Sequence, residues 1–150
     1  MGPFTHGDAQ DLLAAYKRAW ERRDVDLAIS LLSPDAEYRY DPFEAPLVGT
    51  NAIRAWWNAA VDGIDHVELD AERTWLADET VLASFHAAWT ERASAARIRA
   101  RGFLTFELTP ERLVWRFRDW SRTKVVGTDA TFRPDAAMDA PGVGGGPGGR

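Results

Sequence analysis

The sequence predicts an α+β domain in which three N-terminal helices pack on one side of a single curved antiparallel sheet of about five strands, leaving a cone with an open mouth. Three observations carry that expectation. The run from Ala36 to Trp57 writes a strand, a proline-bounded loop and an amphipathic helix in immediate succession. The patterns along the chain come in the order helix, helix, strand, helix and then four strands joined by short turns. The 150 residues are 45% hydrophobic with seven Trp and seven Phe, enough apolar material for one core without covalent cross-links.

Leu12, Leu13, Tyr16, Ala19 and Trp20 recur at helical spacing from Asp8 to about Arg23, with acidic residues early and basic ones late, as the helix dipole favours. Asp24 or Asp26 caps a second helix, whose Leu27, Leu31 and Leu32 form an apolar side that stops at Pro34. Tyr38 and Tyr40 then alternate with Glu37, Arg39 and Asp41, the period of a half-buried strand, until Pro42 and Pro46 interrupt both ladder and helix. Thr50 or Asn51 caps a third helix that carries Ile53, Trp56, Trp57 and Ala60 on one face and breaks at Gly63.

Four strand-like runs follow. In the first, Val67, Leu69, Ala71, Arg73 and Trp75 oppose Glu68, Asp70 and Glu72. The turn Asp78-Glu79-Thr80 leads into VLASFHAAWTER, and Ser94-Ala95-Ala96 into a run with Arg97, Arg99 and Arg101 on one side. Its other side holds Ile98, Ala100, Gly102, Leu104, Phe106 and Leu108. Thr109-Pro110-Glu111 turns the chain into RLVWRFRDWSR. From about Lys124 the pattern dissolves, which divides the chain into a domain of residues 1–124 and a mobile Gly/Pro-rich tail of residues 125–150. A strand extension through Val125, Val126 and Phe132 is the alternative.

Charge and composition exclude several classes. A net charge of −5, with arginines interleaved among apolar residues, argues against a nucleic-acid partner. No cysteine means no disulfide, thiolate nucleophile or sulfur-held metal. His6, His66 and His86 lack metal-ligand spacing, no glycine-rich phosphate loop follows a strand, and Ser84 stands in no nucleophile elbow, so no cofactor or metal is implied. No apolar run reaches bilayer length, the start lacks a leader pattern, and Gly2 lacks the downstream Ser or Thr that myristoylation needs. The expectation is a cytoplasmic protein with no membrane partner.

The helical pair, YRYDPFEAPLVGTNAIRAWW and the final FRDW resemble the nuclear transport factor 2-like superfamily, specifically its SnoaL-like members, over about residues 8–123. The resemblance implies the cone-shaped, cystatin-like form of the α+β fold. That superfamily hosts polyketide cyclases, ketosteroid isomerases, epoxide hydrolases, dehydratases and domains of no known activity, so likeness of fold selects no reaction.

Asp119 shares a side of the last strand with Trp115 and Phe117, and a carboxylate among rings is desolvated, which raises its pKa toward the range useful for proton transfer. The family's aromatic-Arg-acid-aromatic pattern falls on Phe117, Arg118, Asp119 and Trp120, and the resemblance to limonene epoxide hydrolases implies a water-activating Asp there. A hydrogen-bonded structural carboxylate is the plainer reading, and a register slip of one residue turns Arg116 and Arg118 inward instead. His86 has Ser84 and Ala88 on its side of the strand and reads as the proton-transfer partner of Asp119 or as an ordinary core histidine. In the epoxide hydrolases an Arg, and two residues on an Asp, align with His86 and Ala88, so that chemistry is disfavoured here. Tyr38 and Tyr40 present phenols to the cavity as donors to a developing oxyanion, or fill core with their hydroxyls at the mouth.

Trp20, Trp56, Trp57, Trp75, Phe103 and Phe106 form an aromatic cage or plain core, and Trp115, Phe117, Ala88, Ala100, Gly102 and Leu104 complete the expected ligand lining. The resulting expectation is a pocket for a small hydrophobic or aromatic polar molecule, with cofactor-free isomerase, cyclase or dehydratase chemistry, or else a non-catalytic ligand-binding or dimeric accessory domain. On the sheet's other face, Glu68, Asp70 and Glu72 make an acidic row and Arg97, Arg99 and Arg101 a basic row. The two rows either meet across the twofold axis of a homodimer or are separate solvated faces.

Overall fold

The computed structural model describes residues 2–133, so residues 134–150 of the expected tail lie outside the described part. Helix α1 (His6–Glu21) begins where Thr5 and Asp8 form a reciprocal capping box, and it buries Leu13, Tyr16, Ala19 and Trp20. Helix α2 (Val25–Ser30) is capped by Asp24, whose side chain accepts from the Leu27 amide. It ends earlier than the sequence suggests, because Leu32 opens strand β1 (Leu32–Arg39) instead of closing the helix. Pro34 lies inside β1, where the ladder is irregular between Leu32 and Glu37 and no amide is required of it. A two-residue strand β2 (Leu47–Val48) precedes helix α3 (Thr50–Asp62). Neither Thr50 nor Asn51 caps α3: Gly49, at φ 88°, occupies the N-cap position with no side-chain bond to the helix.

Strands β3 (Ile64–Ala77), β4 (Thr80–Glu91), β5 (Ala96–Leu108) and β6 (Val114–Thr128) form the long meander. The six strands run in the order β2-β1-β6-β5-β4-β3. The sheet is mixed rather than purely antiparallel, since β1 lies parallel to β6 and pairs Tyr38 with Phe117. β6 continues beyond Lys124 to Thr128, held by pairs such as Ile98 with Val125, although its side chains there are exposed on both faces and so leave no burial pattern in the sequence.

Two bulges re-aim side chains. In β3 the extra residue is Glu72, between the pairs Ala71–Phe85 and Arg73–Ser84. In β6 it is Trp115, between Leu108–Val114 and Glu107–Arg116. Where β5 meets β6 at Gly102, a Cβ would stand 2.1 Å from the Trp120 carbonyl oxygen and 2.6 Å from Ser121 Cα. Only glycine allows this approach.

The helices cover the inner face of the sheet, and the core runs from Trp20 and Trp57 through Tyr38, Leu104 and Phe106 to Trp89. Polar bonds stitch α1 to β3: Lys17 Nζ donates to the Leu69 carbonyl at 2.7 Å, and Glu21 accepts the Leu69 amide at 2.9 Å. After β6, Asp129 accepts from the Thr90 hydroxyl at 2.5 Å and lies 2.7 Å from His66 Nδ1, while its amide donates to the Ala95 carbonyl. This clasp seats Phe132 edge-on against the His66 ring. Among the described residues, no helix is long and apolar enough to cross a membrane.

Candidate active site

Along the inner side of β6 burial falls in steps: Phe117 and Asp119 are buried, Ser121 is half-buried, and Thr123 and Val125 are exposed. The concave side therefore opens to solvent beyond Ser121. Asp119, at 3% exposure, holds the last fully buried position before that opening.

Beside it, through Tyr16, Tyr38 and Phe117, the rings close a circuit. Tyr16 from α1 contacts Trp20 edge-on, their centroids 6.5 Å apart, and Trp20 lies 6.1 Å from Trp56 of α3. Trp56 meets Tyr38 of β1 at 4.9 Å, Tyr38 stacks on Phe117 at 4.9 Å, and Phe117 returns to Tyr16 at 5.3 Å. Trp57 stacks on Trp20 at 3.8 Å, and Phe106 on Phe117 at 4.7 Å. Tyr40, half-buried, stacks on the half-buried Trp56 at 5.8 Å. Deeper in the cone, a cavity of about 20 Å³ is walled by Tyr16, Tyr38, Ile53, Trp57, Phe106 and Phe117 among others, room for about one water.

Four polar atoms of this region are left without partners among the described residues. Asp119 Oδ1, the Tyr38 hydroxyl, Ser121 Oγ and Trp20 Nε1 are all buried and make no hydrogen bond. Buried polar groups are normally paired, so several unpaired ones in neighbouring walls point to something the site is built to receive. Burial pushes the Asp119 carboxyl up to about 6, the Ser121 hydroxyl acting in the opposite direction, and no basic side chain contributes. Burial, and then the Asp119 charge, hold the Tyr16 and Tyr38 phenols well above their ordinary range. These hydroxyls are donors at any neutral pH.

The structure brings together Asp119, Tyr38, Trp20, Trp56, Trp57, Phe117 and Phe106, with Tyr40 beside Trp56, and puts Ala100 and Leu104 on the buried inner side of β5. It corrects five other assignments. His86 and Ala88 point to the outer face, because the inward positions of β4 are Val81, Ala83, Phe85, Ala87 and Trp89. His86 Nδ1 lies 3.1 Å from Glu72 and its Nε2 3.7 Å from Asp70, away from Asp119. Trp75 is turned outward by the Glu72 bulge, and Phe103 sits on the outer side of β5 at 48% exposure. Trp115, the bulged residue of β6, is half-buried beneath the Arg116 guanidinium, 4.4 Å from its ring centroid. Gly102 keeps its inward position but serves the close approach of β5 to β6. Arg116 and Arg118 face out, where both reach Glu107.

Two residues near Asp119 were not singled out from the sequence as site residues. Tyr16 reads as one more apolar position of α1, and only the packing of α1 over β6 shows its phenol near the carboxylate. Ser121 lies two places beyond Asp119 and so shares its side, a signal that strand parity carries once Asp119 is placed. The charged rows of the outer face meet within the chain, Arg97 with Glu68 at 2.5 Å and Arg101 with Glu72 at 3.0 Å, reaching across β4.

Among solved structures the chain is similar to the epoxide hydrolase/cyclase-like enzyme SalBIII, which has a role in pyran ring formation in the polyether salinomycin. The identity is 19% and the TM-score 0.69, over 78% of this chain and 95% of that one. It is similar to an LEH-like epoxide hydrolase of Mycobacterium tuberculosis at 16% identity and TM-score 0.65, covering 77% and 84% of the two chains. A Mycobacterium tuberculosis protein in complex with estradiol-17beta-hemisuccinate aligns at 13% identity and TM-score 0.64, over 74% and 91%. At such identities the likeness is one of fold. No curated protein matches the sequence. Residues 13–117, most of the chain and the span that builds the ring circuit and reaches β6, match the SnoaL-like domain, and the chain belongs to that family.

Proposed function

We propose that this SnoaL-like domain binds a small hydrophobic or aromatic polar molecule at Asp119 and moves a proton on it without a cofactor, as an isomerase, cyclase or dehydratase does. One observation carries the reading: a carboxylate with an unpaired, buried oxygen stands among aromatic rings beside the unpaired hydroxyl of Tyr38. A group titrating near 6 gives up and takes a proton at little cost at neutral pH. Tyr38, with Tyr16 near the same carboxylate, supplies donors to an oxygen on which charge develops. His86 has no part in this scheme.

Entry runs past Ser121, where an open cavity of about 650 Å³ bordered by Tyr40, Gly102 and Ser121 leads inward, and it turns the half-buried pair Tyr40 and Trp56 outward, since the cavity between Tyr16, Tyr38 and Phe117 holds about one water. That tight filling also favours a second reading, a binding domain without turnover. Epoxide opening is disfavoured, because the inward positions of β4 carry no Arg or Asp.

The test is a thermal-shift screen of phenols, cyclic ketones and hydroxy-ketones on the native protein and on Asp119→Asn, followed by turnover assays on every compound that binds. Binding that needs the carboxylate, together with turnover, supports the acid/base reading. Ligands that bind both proteins equally and never react would leave the binding domain. A homodimer through the outer sheet face remains part of the proposal, resting on the exposed Phe103 and Trp75 rather than on the charged rows, and sedimentation of Phe103→Glu checks it.

A further inference from the structure

A buried carboxylate is normally paired with a cation, because an isolated charge in an apolar setting is costly. Among the described residues Asp119 forms no ion pair, and its Oδ1 forms no hydrogen bond. Of the three arginines of its own strand, Arg116 and Arg118 are committed to Glu107 on the opposite face and Arg122 is exposed, and His86 is held by Glu72 and Asp70. What stands nearest the carboxylate is aromatic: Tyr16 and Tyr38 lie close enough to feel its charge, Phe117 is two places along the strand, and the Trp20 and Trp56 rings adjoin those tyrosines, with Trp57 behind Trp20. An anion set among ring faces is complementary to a weakly hydrated organic cation, which the rings attract through their quadrupoles and the carboxylate through its charge.

Resting on the reading that this pocket receives a small molecule, we propose that its ligand carries a tertiary or quaternary ammonium group on an apolar body, with the nitrogen at Asp119 and its alkyl groups against Trp20, Trp56 and Tyr38. A neutral ligand leaves the carboxylate unpaired, whereas an ammonium ion neutralises it where it stands. The cation also holds Asp119 ionised, the form that accepts a proton. The titratable groups facing Asp119 are Tyr16 from α1 and Tyr38 from β1, with Tyr40 next to Tyr38. The two facing phenols stay neutral at neutral pH, so the Asp119 carboxylate sets how binding depends on pH. Its ionised fraction drops about tenfold between pH 7.5 and pH 5, and affinity for a cation drops by the same factor.

The experiment titrates the full chain with benzyltrimethylammonium and choline, and with 3,3-dimethylbutan-1-ol, the uncharged carbon analogue of choline, following the tryptophan indole signals by NMR at pH 5 and 7.5. The expected result is at least tenfold tighter binding of the ammonium ions than of the alcohol at pH 7.5, weakening about tenfold at pH 5. The preference should vanish in Asp119→Asn and return in Asp119→Glu, with both variants checked for a native-like spectrum. If the alcohol, phenols or ketones bind and the ammonium ions do not, this proposal is overturned while the pocket reading stands. If nothing in either panel shifts the indole signals, both fall.

Discussion

Replacing Asp119 with Asn should change the protein's stability by an amount that rises with pH in a defined way. The carboxyl titrates at about 6 in the folded chain against a reference of 3.8, because burial disfavours its charged form. A folded-state pKa above the unfolded one means that the group's contribution to stability is fully present below about pH 4 and is lost as pH rises through about 6. The gap between 3.8 and about 6 corresponds to roughly 3 kcal/mol. Asn does not titrate, and the unfolded carboxyl is already partly ionised at pH 4, so the stability of the variant relative to the native protein should rise by about 2.5 kcal/mol between pH 4 and pH 8. For a domain of this size each kcal/mol moves Tm by roughly 2–4 °C, which makes the relative change about 5–10 °C. The unmet amide hydrogens of Asn add a cost of about 1–3 kcal/mol, but that cost is the same at every pH and drops out of the comparison. Paired urea and thermal melts of the two proteins at unit steps from pH 4 to pH 8 measure the difference, and every other acidic group cancels. Parallel stability curves would refute the reasoning, for they would mean that Asp119 ionises in the fold as freely as in water.

Four other outcomes follow from the geometry. Gly102→Ala places a Cβ within 2.1 Å of the Trp120 carbonyl oxygen, so β5 and β6 must part, and urea melts should show a loss of about 3 kcal/mol, the upper end for overpacking. Tyr38→Phe removes a hydroxyl that bonds nothing in the free protein, so stability should hold while affinity for any oxygen-bearing ligand of the pocket falls, as read by calorimetry. Exchanging the charges of Glu68 and Arg97 rebuilds their pair within the chain; stability should change by less than about 1 kcal/mol, and the sedimentation coefficient should not change. Asp129→Asn loosens the clasp on Thr90, Thr131 and His66, and hydrogen exchange at the Asp129 and Phe132 amides should quicken. Those contacts, Thr131 first, hold the Asp129 carboxyl well below its ordinary range, so the protection it gives is present above the usual carboxylate pKa and fades as acid protonates it.

The order of elements, the inward side of β5 and the burial of Asp119 with Phe117 were legible in the sequence because each rests on long, one-sided alternation. The errors have local causes. Ala83, Ala87 and Ala88 put small residues on both sides of β4, so parity there depends on reading Phe85 and Trp89 as inward, and His86 goes wrong with the opposite choice. Trp75 and Trp115 were misplaced by bulges, which add one residue and flip every side chain beyond them without a signature in composition. The N-cap of α3 fell to Gly49 because positive φ, not a hydroxyl, shapes that entry. The pairing of Glu68 with Arg97 was hidden by the strand between them, whose small outer side chain at Ala88 lets two long ones meet above it. Tyr16 joined the site through the packing of a helix over a distant strand, a contact that no pattern along the chain encodes.

The parallel pairing of β1 with β6 has a cost in time. Tyr38 finds its ladder partner in Phe117, and Leu32 in Val114, near opposite ends of the domain. Contacts so remote in sequence demand that the intervening loop be closed before they reward it, which slows folding. During synthesis β1 leaves the ribosome early and, although β2 can pair with one of its edges, the other stays open until β6 has emerged. A nascent chain stopped short of Val114 leaves Tyr38 without the Phe117 ring on which it stacks, and the carboxylate that gives the pocket its charge enters among the last elements made.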